Sequence, residues 1–259
     1  MSWQPVDCHA HSTMSDGALT VQEIVERGQS LGVRPSVSDH ISRDVAVGPR
    51  DVAAIGAYLD ELERHPVLRG GEFCWHDSLW RELPAELATR FTHRIGSLHA
   101  IILADGRVLH SFSRRFPEEL SPAHYMDAYV DNLERLACEM PVDVLAHPTL
   151  LPLTLRDRAP EDVWTEAHED RAVDALRRGG IALEVSARYR PHERLIRRAA
   201  AAGVRISLGS DGHSAEQVAD VAWPLALTRS LGIRDEELYD PCAHGSRTGH
   251  FGSEKRQRP

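Results

Sequence analysis

The chain has 259 residues, 42% of them hydrophobic, and a formal charge of −9. That is enough apolar material for a sizeable core in one domain, and an acidic balance that offers no general attraction to nucleic acid. All 30 basic residues except Lys255 are arginine, which excludes a Walker A phosphate loop, a catalytic Schiff base and a carbamylated lysine bridging metals.

In chain order, short apolar runs alternate with segments of helical period. The run before His9 reads as a strand. Val21, Ile24, Val25 and Leu31 share one helix face, and Gly32 supplies a stop. A strand over 34–38 meets Asp39 and His40; a helix over 52–62 leads to a strand over 67–73 that contains Glu72. The strand at 94–97 precedes His99, and Asp105–Gly106 marks a hairpin before a long helix over 123–140. The run 142–146 delivers His147. Helix 163–178, strand 181–185, helix 193–202, strand 204–208 and helix 216–231 follow, with "GSDGH" just after the last strand. About seven β-α units of this kind predict a parallel sheet closed into an α/β barrel, one domain over residues 1–240, with 241–259 a loose polar tail.

The four cysteines, Cys8, Cys74, Cys138 and Cys242, form no C-x-x-C pair and read as reduced thiols of a cytoplasmic protein. The first residues lack a signal-peptide pattern, and no apolar run has the length of a membrane span. Nothing marks an obligate protein partner. The aromatic stretch Trp75 to Trp80 is expected to pack against a neighbouring helix.

The placement of polar residues carries the chemistry. His9, His11, His40, Glu72, His99, His147, Asp211 and His213 all fall at the carboxyl ends of expected strands, the face on which parallel barrels build active sites. His9 and His11 alternate by two, so both imidazoles point to one side of an extended strand, and Asp211 and His213 repeat the arrangement. With Asp16, these six imidazoles and three carboxylates suit a borderline metal such as Zn, Mn or Fe. Nine donors exceed the needs of one ion. Two or three divalent ions are implied, with Glu72 as a bridge, and their charge outweighs three carboxylates, leaving a pocket that attracts phosphate. The other nine histidines, among them His65, His76, His93 and His250, show no such pattern and are expected to face solvent.

The motifs "DCHAHSTMSDG", "VSDH", "GGE", "GSLH", "LAHP", "LEVS" and "GSDGH" resemble, in order, those of the polymerase and histidinol phosphatase (PHP) family. The resemblance spans roughly residues 6–231. It implies a distorted seven-stranded TIM-like α/β barrel with a trinuclear metal centre. One metal would be held by His9, His11, Glu72 and Asp211, a second by Asp16, His40 and His213, and a third by Glu72, His99 and His147. Asp39 would accept a hydrogen bond from a ligand histidine, with Glu184 a further supporting group. Arg188 and Arg190 stand where the family often carries a phosphate-binding arginine. Asp211, His213 and Glu72 form the implied catalytic set, Asp211 or His213 protonating the leaving alkoxide.

The second half resembles the histidinol phosphatase branch, whereas Asp16 in "SDG" resembles the branch acting on nucleotides and short RNA ends. The resemblance therefore implies a metal-dependent phosphatase of a small phosphate monoester, histidinol phosphate first, working by a metal-bound hydroxide. A phosphodiesterase or 3′-5′ exonuclease is the alternative; the acidic surface and the lack of a stacking platform count against long nucleic acid. A non-catalytic metal-binding PHP module and an amidohydrolase-like deaminase are the remaining readings.

Overall fold

The computed structural model describes residues 3–114 and 116–246. The first half contains β1 (Val6–Asp7), α1 (Val21–Leu31), β2 (Arg34–Val37), β3 (His40–Ile41), α2 (Val52–Leu62), β4 (Leu68–Arg69), β5 (Glu72–Cys74), α3 (Leu79–Glu82), α4 (Ala85–Ala88) and β6 (Ile95–Ser97). Next come β7 (Ala100–Ile102), β8 (Val108–His110), α5 (Pro122–Glu139), β9 (Val144–Leu145), α6 (Pro160–Val163) and α7 (Glu166–Gly179). The chain continues through β10 (Ala182–Ser186), α8 (Glu193–Ala201), β11 (Ile206–Gly209), α9 (Ala222–Ser230) and α10 (Pro241–His244).

The fold is α/β with parallel sheets. β1, β2 and β4 form one, and β11, β10, β9, β6, β5 and β3 form a second in that order. β3 takes up the chain two residues after β2, and β5 two residues after β4. Across these breaks Gly70 N–H donates to the Val37 carbonyl at 2.8 Å and Glu72 N–H to the Asp39 carbonyl at 2.9 Å. On the opposite side Cys8 N–H donates to the Leu208 carbonyl at 2.9 Å, and Ala10 bridges Gly212 in the parallel sense. β7 and β8 form the expected antiparallel hairpin, with Ala100 opposite His110 and Gly106 at φ +85° in the turn.

β1, β5, β6, β9, β10 and β11 are buried on both faces, which is why they read as runs without polar alternation, whereas the hairpin strand β8 alternates. The helices cover them through one apolar stripe each. α1 is fixed by a Thr20–Glu23 capping box and stopped by Gly32 in the left-handed conformation. Its buried face is Val21, Ile24, Val25 and Gly28. Leu31, expected on that face, is 45% exposed, because Gly28 rather than a larger residue lets the last turn sit on Pro35.

Two other helices depart from expectation. The segment 163–178 is interrupted because Thr165 leaves the helical conformation to cap α7, accepting from His168 N–H at 3.2 Å. The last helix begins at Ala222 instead of 216. Before it the chain wraps around Gly212, and Ala219, at φ +61°, donates its N–H to Asp7 at 3.0 Å. That buried bond outweighs helical propensity. The predicted packing of Trp75 and Trp80 holds: the rings stack at 5.8 Å, and Trp75 Nε1–H donates to Asn132 of α5 at 2.8 Å.

Within the expected tail, Pro241–His244 forms α10 and Ser246 reaches Asp143 at 3.2 Å. Residues 247–259, including His250 and Lys255, lie outside the described residues. Among the described residues no helix is long and apolar enough to cross a membrane.

Candidate metal centre

The carboxyl ends of β1, β3, β5, β6, β9 and β11 open into one cavity of about 390 Å³. Its lining includes Asp16, His40, Glu72, His99, His147, Arg188, Tyr189, Asp211 and His213, and buried His9 and His11 lie directly behind them. All nine residues expected from the sequence as metal donors therefore meet in one place.

Glu72 stands at the centre. Its Oε1 lies 3.0 Å from His147 Nε2 and 3.2 Å from His99 Nε2, while Oε2 lies 2.7 Å from His40 Nδ1, 3.6 Å from His9 Nε2 and 3.7 Å from His11 Nε2. One carboxylate thus faces two groups of imidazoles through its two oxygens. Asp16 faces His11, His40 and His213 at 3.4–3.6 Å, and Asp211 lies 3.4 Å from His11 Nε2. Three sets bring donor atoms within 4.8 Å of one another: His11, Asp16, His40 and His213; His9, His11 and Asp211; His40, Glu72 and His99. Against the expected sets, the structure adds His11 to the Asp16 group and His40 to the Glu72–His99 group, and it leaves Glu72 out of the His9–His11–Asp211 group and His147 out of all three.

These residues fit divalent cations better than they fit one another. His9 Nε2 and His11 Nε2 face each other at 3.1 Å, His11 Nδ1 is buried without a hydrogen bond, and Glu72 Oε2, which faces His40, His9 and His11, pairs closely only with His40 Nδ1 at 2.7 Å. Burying such atoms unpaired is costly, whereas converging lone pairs are what a cation requires. Burial opposes the ionisation of Glu72, but His99, His40 and His9 outweigh it and hold the carboxyl well below the usual range. Burial also opposes a charge on His40, yet Glu72 and Asp16 push its imidazole up to about 10. His11, mainly through burial, is driven down to about 3, toward the neutral form that binds metal.

The supporting residues differ in part from expectation. Glu184 accepts from His9 Nδ1–H at 2.8 Å and from His147 N–H at 2.6 Å. It reaches both because residue 209 is glycine: a Cβ there would lie 2.1 Å from Glu184 Oε1. Asp39, expected against a ligand histidine, instead accepts from Ser12 N–H at 2.7 Å and from the hydroxyls of Ser12 and Ser15. It pins the turn that carries Asp16. Burial pushes the Asp39 carboxyl up to about 6 against those hydrogen bonds.

Backbone strain gathers at the same rim. Among the described residues three other than glycine have positive φ, His147 at 29°, Asp211 at 49° and Ala219 at 61°. Each costs about 1–3 kcal/mol unless its surroundings impose it. Their N–H groups are held by Glu184, by the His9 carbonyl at 2.7 Å and by Asp7 respectively. Asp7, which sequence reasoning passed over, also accepts from Ser210 N–H and Oγ–H at 2.8 and 2.6 Å. Its only sequence signal was a carboxylate two residues before His9, in phase with it on a buried strand.

The two arginines separate. Arg188 lines the cavity, its Nη1 2.6 Å from His213 Nδ1 and 3.9 Å from Asp211 Oδ1. Arg190 lies over the Trp223 ring at 4.7 Å and hydrogen-bonds the Ala187 carbonyl, outside the cavity lining. His93 and His76 also depart from the expected solvent exposure: His93 is fully buried with Nε2 2.8 Å from the Cys8 carbonyl, and His76 lines the cavity beside Asp44. Burial lowers the His93 imidazole to about 4, so it stays neutral under the centre. His76 had a legible signal: Glu72, Cys74 and His76 are two residues apart on a strand and its extension, so all three face the cavity.

No family model matches the chain, and no curated protein matches it in sequence. Solved structures do. A histidinol phosphate phosphatase from Lactococcus lactis subsp. lactis Il1403, complexed with zinc, L-histidinol and phosphate, superimposes with a TM-score of 0.67. The chain has the fold of histidinol phosphate phosphatases. That match is 15% identical in sequence and covers 90% of this chain and 95% of the other. A second, a candidate histidinol phosphatase from Listeria monocytogenes, gives a TM-score of 0.66 at 14% identity and covers 83% of this chain and 97% of its own.

Proposed function

We propose that this chain is a metal-dependent phosphatase of the PHP type that hydrolyses a small phosphate monoester, with histidinol phosphate the leading substrate. The observation that carries this reading is the meeting of nine metal-type donors and Arg188 around one cavity, on a fold shared with an enzyme that binds zinc, histidinol and phosphate. A cavity of about 390 Å³ suits a metabolite-sized ester. The seven-stranded barrel belongs to the same proposal: β2 with β3 and β4 with β5 are two strands each broken at a dipeptide, and β1 beside β11 closes the ring.

Two or three Zn, Mn or Fe ions would be held by His9, His11, Asp16, His40, Glu72, His99, His147, Asp211 and His213, with Glu72 between groups. When bound, such ions supply Lewis acidity toward the phosphoryl oxygens and make a coordinated water acidic enough to attack near neutral pH. Glu184 orients His9 and His147 by holding the His9 Nδ1 proton and the strained His147 amide.

Arg188 and His213 divide the remaining work. His213 Nδ1 lies 2.9 Å from the Asp211 carbonyl, and a proton on Nδ1 leaves Nε2 as the lone pair facing Asp16. Arg188 Nη1 lies 2.6 Å from that same Nδ1, so with the proton there the guanidinium has no acceptor on His213 and is available for a phosphate fork. Burial opposes the charge on Asp211, but His9 and His11 hold its carboxyl well below the usual range, so it serves as an anion and not as the acid for the leaving alkoxide.

The test is phosphate release by zinc-, manganese- and iron-loaded protein from histidinol phosphate, a nucleoside monophosphate and a short oligonucleotide. Turnover of histidinol phosphate above the others is expected. Activity on the oligonucleotide alone would overturn the monoester assignment, and metal-loaded protein inert on all three would overturn catalysis.

A further inference from the structure

The cavity holds a second cluster of metal-type donors that shares no residue with the nine. Asp44, His76 and His110 bring one donor atom each within 4.8 Å of the others. They come from three separate places: Asp44 from the loop after β3, His76 from the extension of β5, and His110 from the end of β8. His76 Nε2 lies 2.6 Å from Asp44 Oδ2, and the rings of His76 and His110 meet edge-on with centroids 5.1 Å apart.

The geometry points to a separate mononuclear divalent-cation site at the rim of the cavity, formed by Asp44, His76 and His110. His76 decides it. Its side chain is only 4% exposed, and its Nδ1 is buried with no hydrogen-bond partner while its Nε2 sits against Asp44. A buried imidazole with an unpartnered nitrogen beside a second imidazole is a poor structural arrangement and a good ligand pair. Burial lowers the His76 imidazole, with His110 adding to the effect, which keeps the ring in the neutral form that coordinates.

Two imidazoles and one carboxylate, with no thiolate, select a borderline ion of the zinc or cobalt kind over calcium or magnesium. Three protein ligands leave positions open to water or to a ligand entering the cavity, so the site is not of the closed structural type. The hairpin β7–β8 holds His110 in register opposite Ala100, next to His99, and Ser111 N–H donates to the His99 carbonyl at 2.8 Å. A cation there would tie the hairpin to the β3 loop and add positive charge at the mouth.

Chelator-stripped full-length protein titrated with ZnCl2 tests this, with zinc counted by atomic spectroscopy after dialysis and folding followed by circular dichroism. The wild type should retain one zinc more per chain than His110→Ala and one more than Asp44→Asn, whose exposed side chain makes it the safer variant for folding. With CoCl2, the same variants should lose one set of visible d–d bands. Equal zinc uptake by the wild type and both folded variants would overturn the rim site. A wild type that retains a single zinc, lost in the variants, would support the rim site and sink the nine-donor centre instead.

Discussion

At the amino ends of the strands, Arg94 and Asp143 are buried side by side before β6 and β9. Arg94 N–H donates to Asp143 Oδ2 at 2.7 Å, Asp143 N–H returns a bond to the Arg94 carbonyl at 2.8 Å, and both side chains reach Ser246 Oγ at 3.2 Å. At the carboxyl ends, by contrast, imidazole faces imidazole, and His11 and His76 each keep a buried nitrogen without a hydrogen bond. Both ends bury charge in the same core. At one end Arg94 and Asp143 exchange backbone bonds and share Ser246, so opposite groups hold the fold; at the other, lone pairs converge and require a cation from outside. Backbone strain follows the same division, since among the described residues all three with positive φ other than glycine lie toward the carboxyl end.

The largest effect expected from breaking this contrast is at Glu72. Five imidazoles lie within 3.7 Å of its carboxylate, so Glu72→Gln keeps the shape and removes the one anion common to all of them. The metal-free protein should lose about 3–5 kcal/mol of stability in urea unfolding, and phosphate release should fall to background. Unchanged stability would show that charge does not hold the cluster together.

Next comes the pH dependence of Asp7, one layer beneath the rim. Burial raises its carboxyl from 3.8 to about 6, against hydrogen bonds from Ser210, His9 and Ala219. The proton is therefore bound more tightly in the folded state. Its contribution is fully present below pH 3.8 and is lost as pH rises through about 6, a swing of about 3 kcal/mol. An asparagine side chain does not titrate, so the stability of the metal-free wild type relative to Asp7→Asn should fall by that amount between about pH 3 and pH 7, most of it between pH 4 and 6. A flat difference would place Asp7 outside this coupling.

Glu184→Gln sharpens the contrast from the other direction, because it alters a support and leaves the nine donors in place. Both its oxygens accept hydrogen bonds, one from His9 Nδ1–H and one from the strained His147 amide. A loss of about 10–100-fold in zinc affinity, measured by competition with a chromophoric chelator, is expected. Unchanged affinity would mean that the imidazoles are oriented by packing alone.

How much of this was readable without coordinates follows from what is local and what is not. His9, His11, Glu72 and Asp211 were legible because strand alternation and strand-end position are local properties of sequence. The parallel α/β alternation was legible for the same reason. Asp7 and the late start of α9 were hidden, because the partner of Asp7 is an amide 212 residues away whose value only tertiary closure reveals. Arg188 and Arg190 are two residues apart and equivalent on paper; Trp223, which holds one of them out of the cavity, comes from a distant helix. His93 looked like a surface residue until the Cys8 carbonyl was seen to need a donor.

The smallest expected effect lies at the amino end and tests whether the two ends are independent. Ser246 Oγ accepts from Arg94 Nε–H and donates to Asp143 Oδ2, each at 3.2 Å, but the backbone bonds between Arg94 and Asp143 do not depend on it. Ser246→Ala should therefore cost only about 1 kcal/mol, the net value of an ordinary hydrogen bond, read as a lower urea midpoint with an unchanged m-value. Zinc content and phosphate release should stay at wild-type levels, since the whole thickness of the sheet separates this network from Glu72 and a distant, self-satisfied group has nothing to pass on. A shift in zinc stoichiometry in this variant would mean that the amino end feeds the rim, and the division between a closed network and an open one would have to be abandoned.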